Sequence, residues 1–286
     1  MNTIWSAYVQ GTGTLYESRC LRFHDRFRDR YLPLLALEDG RRMLEIGCGP
    51  GALAGALHRW YPHAEITGID RDSAFIRFAQ QQTPDVRFIE ADAGALPFGD
   101  ASFDVTISNT VSEHIAPDDF FGEQYRVLKP GGACIVLSVR RSIQMEAACF
   151  AEDDVERAFW QQINAADDRW EKYGVARYPL SEAELPAAMA RYGFREIRTG
   201  YAAIDLTPDD PDVPAELAQQ MFHARRQNDL DALDALARAL PDMAEGIAAM
   251  RQRISAKHDL RAAQYVRGEK QWDTEVTLVM MIRGVK

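Results

Sequence analysis

The sequence predicts a doubly wound α/β fold, in which helices cover both faces of a largely parallel sheet. Short apolar runs alternate with helix-length segments from residue 43 onward, as βαβ units require. Crossover connections between parallel strands are almost always right-handed, so this order of elements leads to a doubly wound sheet. The 286 residues are 47% apolar and 27% charged, which favours one enlarged domain over two small ones.

The elements of the first half follow from the spacing of their apolar residues. Apolar residues at helical spacing within residues 14–38 predict a leading helix. Short apolar runs then predict five buried strands, at residues 43–48, 65–70, 86–92, 103–109 and 133–139. Helices are predicted between them, at residues 52–60, 73–82 and 120–129.

Two interruptions break the alternation in the second half. Residues 141–180 place aromatic side chains among charged ones and carry no strand signal, so we expect a lid over the carboxyl edge of the sheet. Residues 205–270 contain two amphipathic helical stripes, which either extend that lid or form the interface of a homodimer.

The sheet resumes between and after these interruptions. Ser181 and Glu184 form a predicted capping box that opens a helix over residues 181–192, and a sixth strand follows at 194–204. A last strand at 275–283 returns to the same sheet. We therefore expect one domain over residues 1–286, composed of a helical cap (1–38), a cofactor-binding core (40–140), the lid (141–180), the rest of the sheet (181–204 and 271–286) and a helical insertion (205–270).

Composition excludes several partners and locations. The 33 Lys and Arg against 43 Asp and Glu give a net charge of −10, which repels nucleic acid, and the basic cluster at residues 19–30 is interpreted as a solvated helix face. The four cysteines lack paired Cys/His spacing, so no metal site is expected. No stretch reaches the roughly 18 apolar residues of a membrane span, and the start at Met1 lacks a secretion signal. We expect a cytoplasmic protein.

A glycine-rich turn follows the first predicted strand. Residues 44–51 read Leu-Glu-Ile-Gly-Cys-Gly-Pro-Gly and lead directly into a helix. Glycines let the backbone pass close under a ligand, and the helix start offers free N–H groups, so a nucleotide-like cofactor fits this turn. The same residues also satisfy the degenerate dinucleotide fingerprint, and a turn that serves only strand-to-helix geometry is the alternative.

Acidic residues end the second and third strands. Asp70 follows Gly51 by 19 residues, where a carboxylate can accept hydrogen bonds from the two ribose hydroxyls of a bound nucleoside. Asp92 ends the third strand and can accept the amino group of an adenine, with the backbone N–H of Ala93 facing a ring nitrogen. These features suit NAD or another adenosine ligand.

Five motifs together resemble the class I S-adenosylmethionine-dependent methyltransferases, in the small-molecule branch that includes quinone-biosynthesis enzymes. They lie in the order of that family, at residues 43–51, 66–70, 91–98, 102–105 and 126–132. The resemblance covers about residues 40–140 of the chain. The Leu-Lys-Pro-Gly-Gly turn at 128–132 is its most discriminating part, because nicotinamide dehydrogenases have no counterpart.

The resemblance implies a Rossmann-like sheet of seven strands with the last one antiparallel, and S-adenosylmethionine as cofactor. Gly47 and Gly49 would then lie against the methionine part of the cofactor. Glu45 would help to hold its ammonium group, and Asn109 would meet the same end.

The adenosine end of the cofactor would contact the other strand tips. Asp70 would bind the ribose, with Arg71 beside the adenine. Asp92 and Ala93 would bind the edge of the adenine ring.

The helical cap and the lid would complete the site. Tyr16 and Arg19 are candidates for contacting the cofactor carboxylate. Four lid aromatics either line an acceptor pocket or only attach the lid to the sheet. They are Trp160, Trp170, Tyr173 and Tyr178.

Methyl transfer asks little of the protein beyond an in-line nucleophile and the exclusion of water. A base is needed where the acceptor loses a proton, and His114 with Glu113 beside it are the candidates; a polar pair without proton-transfer duty is the alternative. The fourth strand ends without an Asn-Pro-Pro sequence, and the chain has no Pro-Cys dipeptide, which leaves a small organic acceptor. A catalytically silent binder of the cofactor and a nicotinamide oxidoreductase are the alternatives.

Overall fold

A seven-stranded sheet organises the chain in the computed structural model, which describes residues 4–286. The strands follow the order β3-β2-β1-β4-β5-β7-β6, and β7 runs antiparallel to both of its neighbours. They are β1 (Arg42–Ile46), β2 (Glu65–Asp70), β3 (Arg87–Glu90), β4 (Phe103–Asn109), β5 (Leu128–Met145), β6 (Arg195–Leu206) and β7 (Thr274–Val285). The predicted fold class, including the antiparallel last strand, is confirmed.

Ten α-helices pack around this sheet within the described residues. They are α1 (Thr12–Arg22), α2 (Arg28–Leu35), α3 (Ala52–Trp60), α4 (Ser73–Gln82), α5 (Pro117–Val127), α6 (Asp154–Ala166), α7 (Arg169–Lys172), α8 (Glu184–Arg191), α9 (Ala215–Ala239) and α10 (Ala244–Val266). A π-helical turn at Trp5–Val9 precedes them. The bounds of α3, α4, β2 and β4 match the sequence prediction residue for residue.

The predicted leading helix is two helices, α1 and α2, rather than one. A short 3₁₀ turn at Asp25–Phe27 separates them, and the Nδ1 atom of His24 accepts the Arg26 N–H at its start. The turn redirects the chain so that Phe23, Phe27 and Tyr31 are all buried against the sheet. Residues 1–3 of the predicted cap, with the predicted absence of a secretion signal there, lie outside the described residues.

Strand β5 continues five residues into the predicted lid, where the sequence carries no strand signal. Residues 141–145 pair with Thr274–Leu278 of β7 through the backbone, while their side chains are exposed. A strand segment whose side chains are exposed on both faces needs no alternation of apolar and polar residues. Hydrophobic periodicity therefore does not predict this part of β5. The segment that we call the lid below therefore begins at residue 146.

Apolar side chains cover both faces of the sheet. Met43 of β1 packs on one face with Val105 and Ile135, while Leu44 packs on the other with Val136. This alternation is the period of two that a strand imposes on its side chains. The two cores hold β1 and β4 in the middle of the sheet, which fixes where their carboxyl ends emerge.

The reciprocal hydrogen bonds predicted between Ser181 and Glu184 are present, but the helix begins at Glu184, three residues later than predicted. The Glu184 N–H donates to the Ser181 hydroxyl at 3.3 Å, and the Ser181 N–H donates to the Glu184 carboxylate at 2.9 Å. These bonds precede the first turn of α8, which ends at Arg191 before Gly193.

Residues 205–270 form the two predicted amphipathic helices, α9 and α10. Leu233 and Leu236 of α9 pack with Ile247 and Met250 of α10, and Ile163 of the lid joins the same cluster. The insertion and the lid therefore share one small core.

A buried ion cluster fastens this helical pair to the sheet. The Arg261 guanidinium donates to Asp273 at 2.9 Å and to Asp209 at 2.8 Å, and it is 1% exposed. Asp209 also accepts the backbone N–H groups of Gln271 and Trp272. Each buried charge thus has partners, as burial requires.

We expect the substitution Arg261→Met to lower the free energy of unfolding by about 3–5 kcal/mol, because two carboxylates lose their buried counter-ion. Urea denaturation measures the change. Arg267→Met is the matched control, since Arg267 pairs with Glu269 on the surface, and it should leave the unfolding free energy unchanged. Equal effects of the two substitutions would contradict the structural role of the cluster.

Candidate functional site

The turn after β1 is built from glycines in a left-handed backbone conformation. Gly47, Gly49 and Gly51 have φ angles of +65°, +52° and +89°. A Cβ on Gly47 would lie 2.5 Å from Cγ2 of Val111, so both its φ angle and its surroundings require glycine. The turn brings bare backbone to the edge of the sheet directly before α3.

Asp70 at the end of β2 ties this turn to the neighbouring strand. Its Oδ2 accepts the Gly49 N–H at 2.9 Å, and its Oδ1 accepts the Asp72 N–H at 2.8 Å. Burial raises the pKa of Asp70, and these two N–H donors oppose that rise. Each carboxylate oxygen keeps a free lone pair for a further donor.

Two buried oxygens at this edge lack any donor among residues 4–286. Glu45 is 2% exposed and its Oε2 has no hydrogen-bond partner, nor has Oδ1 of Asn109 at the end of β4. Burial raises the pKa of Glu45 well above its ordinary value. Buried acceptors without donors are costly, so both oxygens are suited to a ligand that donates hydrogen bonds.

The end of β3 supplies a further donor and acceptor. Oδ1 of Asp92 accepts the Gly94 N–H at 2.8 Å, which fixes the carboxylate and leaves its second oxygen available. The Ala93 N–H makes no hydrogen bond within the described chain. A planar ring with a donor next to an acceptor on one edge would complement this pair.

One cavity of about 650 Å³ collects these groups. Every position predicted to contact the cofactor lines it except Tyr16, and Glu113, His114 and Trp170 line it as well. Tyr16 instead packs edge-on against Phe78, with ring centroids 5.2 Å apart, and burial raises the pKa of its hydroxyl to about 12.

His114 is held in one tautomer by the lid. Its Nδ1 accepts the Ala176 N–H at 2.9 Å, so the proton of the neutral ring lies on Nε2, which is 3.9 Å from Oε1 of Glu113. Burial lowers the pKa of His114 and so favours this neutral ring. The basic nitrogen of His114 is therefore occupied, whereas the Glu113 carboxylate has acceptor capacity.

The N-terminal segment and the lid contact each other, and both contribute residues to the cavity lining. The Tyr8 ring stacks on Tyr173 at 5.3 Å, and Arg169 donates to the Tyr8 carbonyl at 3.1 Å. The Ser6 N–H donates to Asp72 at 2.9 Å, beside the carboxyl end of β2. These contacts connect three parts of the chain that are far apart in sequence.

The four lid aromatics divide into three groups. Trp170 lines the main cavity, while Tyr173 and Tyr178 line an adjoining cavity of about 470 Å³. Trp160 lines neither of them, because it packs edge-on against Phe159 in the small core of the insertion. For Trp160 the structure thus favours the role of attaching the lid.

Helix α9 contributes polar residues that the sequence analysis missed. Asn228 and Asp231 line the cavity, and the Thr14 hydroxyl donates to Asp231. The apolar stripe of α9 predicted its packing face, but no local pattern shows that its other face would meet α1.

The basic cluster at residues 19–30 was predicted to be a solvated helix face, but part of it is not. Arg19 and Arg22 line the cavity. Burial lowers the pKa of Arg19 to about 9 and lowers that of Arg22 too. The prediction of a solvated face is therefore wrong for these two residues. The acids interleaved with them in sequence do not neutralise them, since Asp25 pairs with Arg59 and Glu17 with His223.

Two kinds of feature are absent from the described residues: membrane-spanning helices and clusters of metal ligands. None of their helices has the length and apolarity to cross a membrane. Within the same part of the chain, no three His, Cys, Asp or Glu side chains are grouped so that they could hold a metal ion.

Comparison with known proteins places this chain in a family. Residues 44–136 match the model of a methyltransferase domain. Demethylmenaquinone methyltransferase of Thermus thermophilus is 38% identical over 184 residues, which are 59% of this chain and 81% of that protein.

Other relatives are matched over a smaller part of their length. A phthiotriol/phenolphthiotriol dimycocerosates methyltransferase of Mycobacterium leprae is 36% identical over 44% of this chain, and a fatty-acid O-methyltransferase of Mycolicibacterium smegmatis is 39% identical over 36%. The chain spans about half of the former (48%) and less of the latter (38%).

A solved structure agrees in fold. Phosphoethanolamine N-methyltransferase 2 of Haemonchus contortus, in complex with phosphomonomethylethanolamine and S-adenosylhomocysteine, aligns over 92% of this chain and 52% of that one, at 16% identity and a TM-score of 0.50. Together with the Thermus relative and the domain match, the strand order and the glycine turn lead to one assignment. The chain belongs to the class I S-adenosylmethionine-dependent methyltransferases.

Proposed function

We propose that the cavity binds S-adenosylmethionine with its adenosine over β2 and β3 and its methionine part over the glycine turn. The free lone pairs of Asp70 suit two ribose hydroxyls, and Asp92 with the Ala93 N–H suits an adenine edge. The donorless oxygens of Glu45 and Asn109 suit the ammonium group. The residues present therefore fit this cofactor, and the donorless Glu45 oxygen is the observation that carries the proposal.

We propose further that the protein methylates an organic acceptor by in-line displacement. Bound S-adenosylmethionine supplies an activated methyl group, whose transfer forms the bond to the acceptor while the sulfur keeps the electron pair of the broken bond. The chain contributes orientation and a dry cavity. Trp170 and the contacts of Tyr8 with Tyr173 would exclude water.

Where the acceptor loses a proton, Glu113 is the better base of the predicted pair. The only basic nitrogen of neutral His114 accepts the Ala176 N–H, so a proton transfer to it would break the contact with the lid. We therefore assign His114 the role of positioning the lid, with Glu113 facing the cavity as proton acceptor.

The relatives bear names that describe organic acceptors, a fatty acid and a demethylmenaquinone among them. We propose an organic acceptor of this general size for the chain described here, held over β4 and β5 beside Trp170. The cytoplasmic location and the homodimer stay predictions from the sequence.

Cofactor binding is tested by titrating S-adenosylhomocysteine into the Asp70→Ala variant. Loss of the ribose contacts should weaken binding by about 1–3 kcal/mol. Asp85→Ala, at an exposed position outside the cavity, is the control and should bind as the unsubstituted protein does. NAD should not raise the melting temperature of the unsubstituted protein, while S-adenosylhomocysteine should. Stabilisation by NAD alone would overturn the assignment.

Glu45 gives cofactor binding a pH dependence. Because burial raises its pKa, the free protein holds a proton there at pH values where an exposed carboxyl is ionised. An ammonium group beside it lowers that pKa, so binding of S-adenosylhomocysteine should release a proton at a pH above the range in which an exposed carboxyl titrates. Calorimetry in buffers of different ionisation enthalpy counts the protons. Glu45→Gln should release fewer; an equal count in both proteins would place the ammonium elsewhere.

Methyl transfer is tested with S-adenosylmethionine labelled in its methyl group and an extract of small metabolites. We expect a labelled product, formed about 100-fold more slowly by Glu113→Gln and with the cofactor affinity unchanged. His114→Asn keeps an acceptor for the Ala176 N–H and should slow the reaction much less. A larger loss in His114→Asn would restore His114 as the base, and no labelled product at all would favour a silent binder.

A further inference from the structure

Helix α1 presents two guanidinium groups to the cavity without any acceptor for them. Arg19 and Arg22 are three residues apart, which places them on one face of the helix. Within residues 4–286, neither side chain donates a hydrogen bond or forms an ion pair, and Nη1 of Arg22 is fully enclosed without a partner. These are cations that the fold itself does not neutralise.

Two other enclosed arginines of this chain, Arg169 and Arg261, are neutralised. Arg169, which also lines the cavity, forms two hydrogen bonds of 2.7 Å with Asp167, and Arg261 lies between two aspartates. Both of these arginines are thus paired, as is usual for buried charge. Burial lowers the pKa of both Arg19 and Arg22, and the charge of Arg22 lowers that of Arg19 further, so the free protein carries a cost that a bound anion would offset.

The strand order locates this pair relative to the cofactor. The cavity edge runs from Asp92 and Asp70 at β3 and β2, past the glycine turn, to Asn109 at β4 and Val139 in β5. An adenosine over β2 and β3 directs the methionine part toward β4. The Tyr31 hydroxyl donates to the Arg22 carbonyl at 3.2 Å, and α2, which carries Tyr31, packs against β6 and β7, so Arg22 lies toward that side of the sheet.

Apolar side chains accompany Arg22 at this end of the cavity. Phe23 follows it in the chain and lines the cavity with Val139 from β5. A cation among apolar walls suits a molecule with an anionic head and an apolar body. The planar guanidinium fork matches carboxylate and phosphate oxygens in a bidentate manner.

We propose that Arg22 binds an anionic group of the methyl acceptor, so that the acceptor is an organic acid with an apolar body, either a carboxylate or a phosphate monoester. Arg19 then remains for the carboxylate of the cofactor, as the sequence predicts. The inference rests on the proposed function, because it takes the position of the acceptor from that of the cofactor. Arg22 anchors one end of the acceptor and thereby selects anionic acceptors over neutral ones.

Three probes with the same eight-carbon chain test this selection: octanoate, octyl phosphate and octanol. Each is titrated by calorimetry into protein already saturated with S-adenosylhomocysteine. We expect octanoate or octyl phosphate to bind about tenfold or more tightly than octanol, and the stronger of the two identifies the anion. Arg22→Met should weaken binding of that anion about tenfold or more, whereas Arg22→Lys should weaken it less. The affinity for octanol should not change.

Arg26→Met is the matched control, since Arg26 belongs to the same basic cluster but does not line the cavity. It should bind all three probes as the unsubstituted protein does. Removal of an unpaired cation should also raise the melting temperature of ligand-free Arg22→Met, whereas loss of a structural arginine would lower it.

The outcomes separate this inference from the function on which it rests. Failure of S-adenosylhomocysteine to bind the unsubstituted protein would overturn the proposed function. Normal binding of S-adenosylhomocysteine with equal affinities for octanoate and octanol, or with no binding of either anion, would overturn the role of Arg22 alone. Weaker binding of S-adenosylhomocysteine by Arg22→Met would assign this arginine to the cofactor instead.

Discussion

The hydrogen bond from the Gly49 N–H to the Asp70 carboxylate is the contact on which the site depends. It joins the turn after β1 to the end of β2, which is the neighbouring strand in the sheet. The turn needs glycine at these positions for two reasons. Gly47 and Gly49 adopt a left-handed backbone conformation, and a side chain at Gly47 would also collide with Val111. With the turn held in this way, the donorless oxygens of Glu45 and Asn109 face the same cavity.

Charged side chains of both signs line the cavity. The ends of β1, β2 and β3 supply the carboxylates of Glu45, Asp70 and Asp92, while α1 supplies the guanidiniums of Arg19 and Arg22. Burial raises the pKa of Glu45 and Asp70 and lowers that of the two arginines, so each group is less stable as an ion than in water. A zwitterionic cofactor and an anionic acceptor would supply the missing partners. The free protein is thus preorganised for ligands at some cost to its stability.

The sequence predicted those parts of the site that local motifs encode. The glycine turn and the acidic ends of β2 and β3 lie within a few residues of their strands, so strand periodicity and turn chemistry place them at one edge. Asp231 could not be found in this way, because it reaches the cavity through the packing of α9 on α1, more than 200 residues apart. The tautomer of His114 likewise depends on Ala176 in the lid. The prediction for Arg22 was wrong because a basic helix face has the same sequence pattern whether it faces bulk water or lines a cavity.

A crystal structure of the protein with S-adenosylhomocysteine tests the central claim most directly, through the distances from the Asp70 carboxylate oxygens to the ribose hydroxyls. We expect both hydroxyls to lie about 2.5–3.0 Å from those oxygens, with the Gly49 N–H still bound to Asp70. A nucleoside placed away from the ends of β2 and β3, or an Asp70 side chain turned from the ribose, would contradict the account.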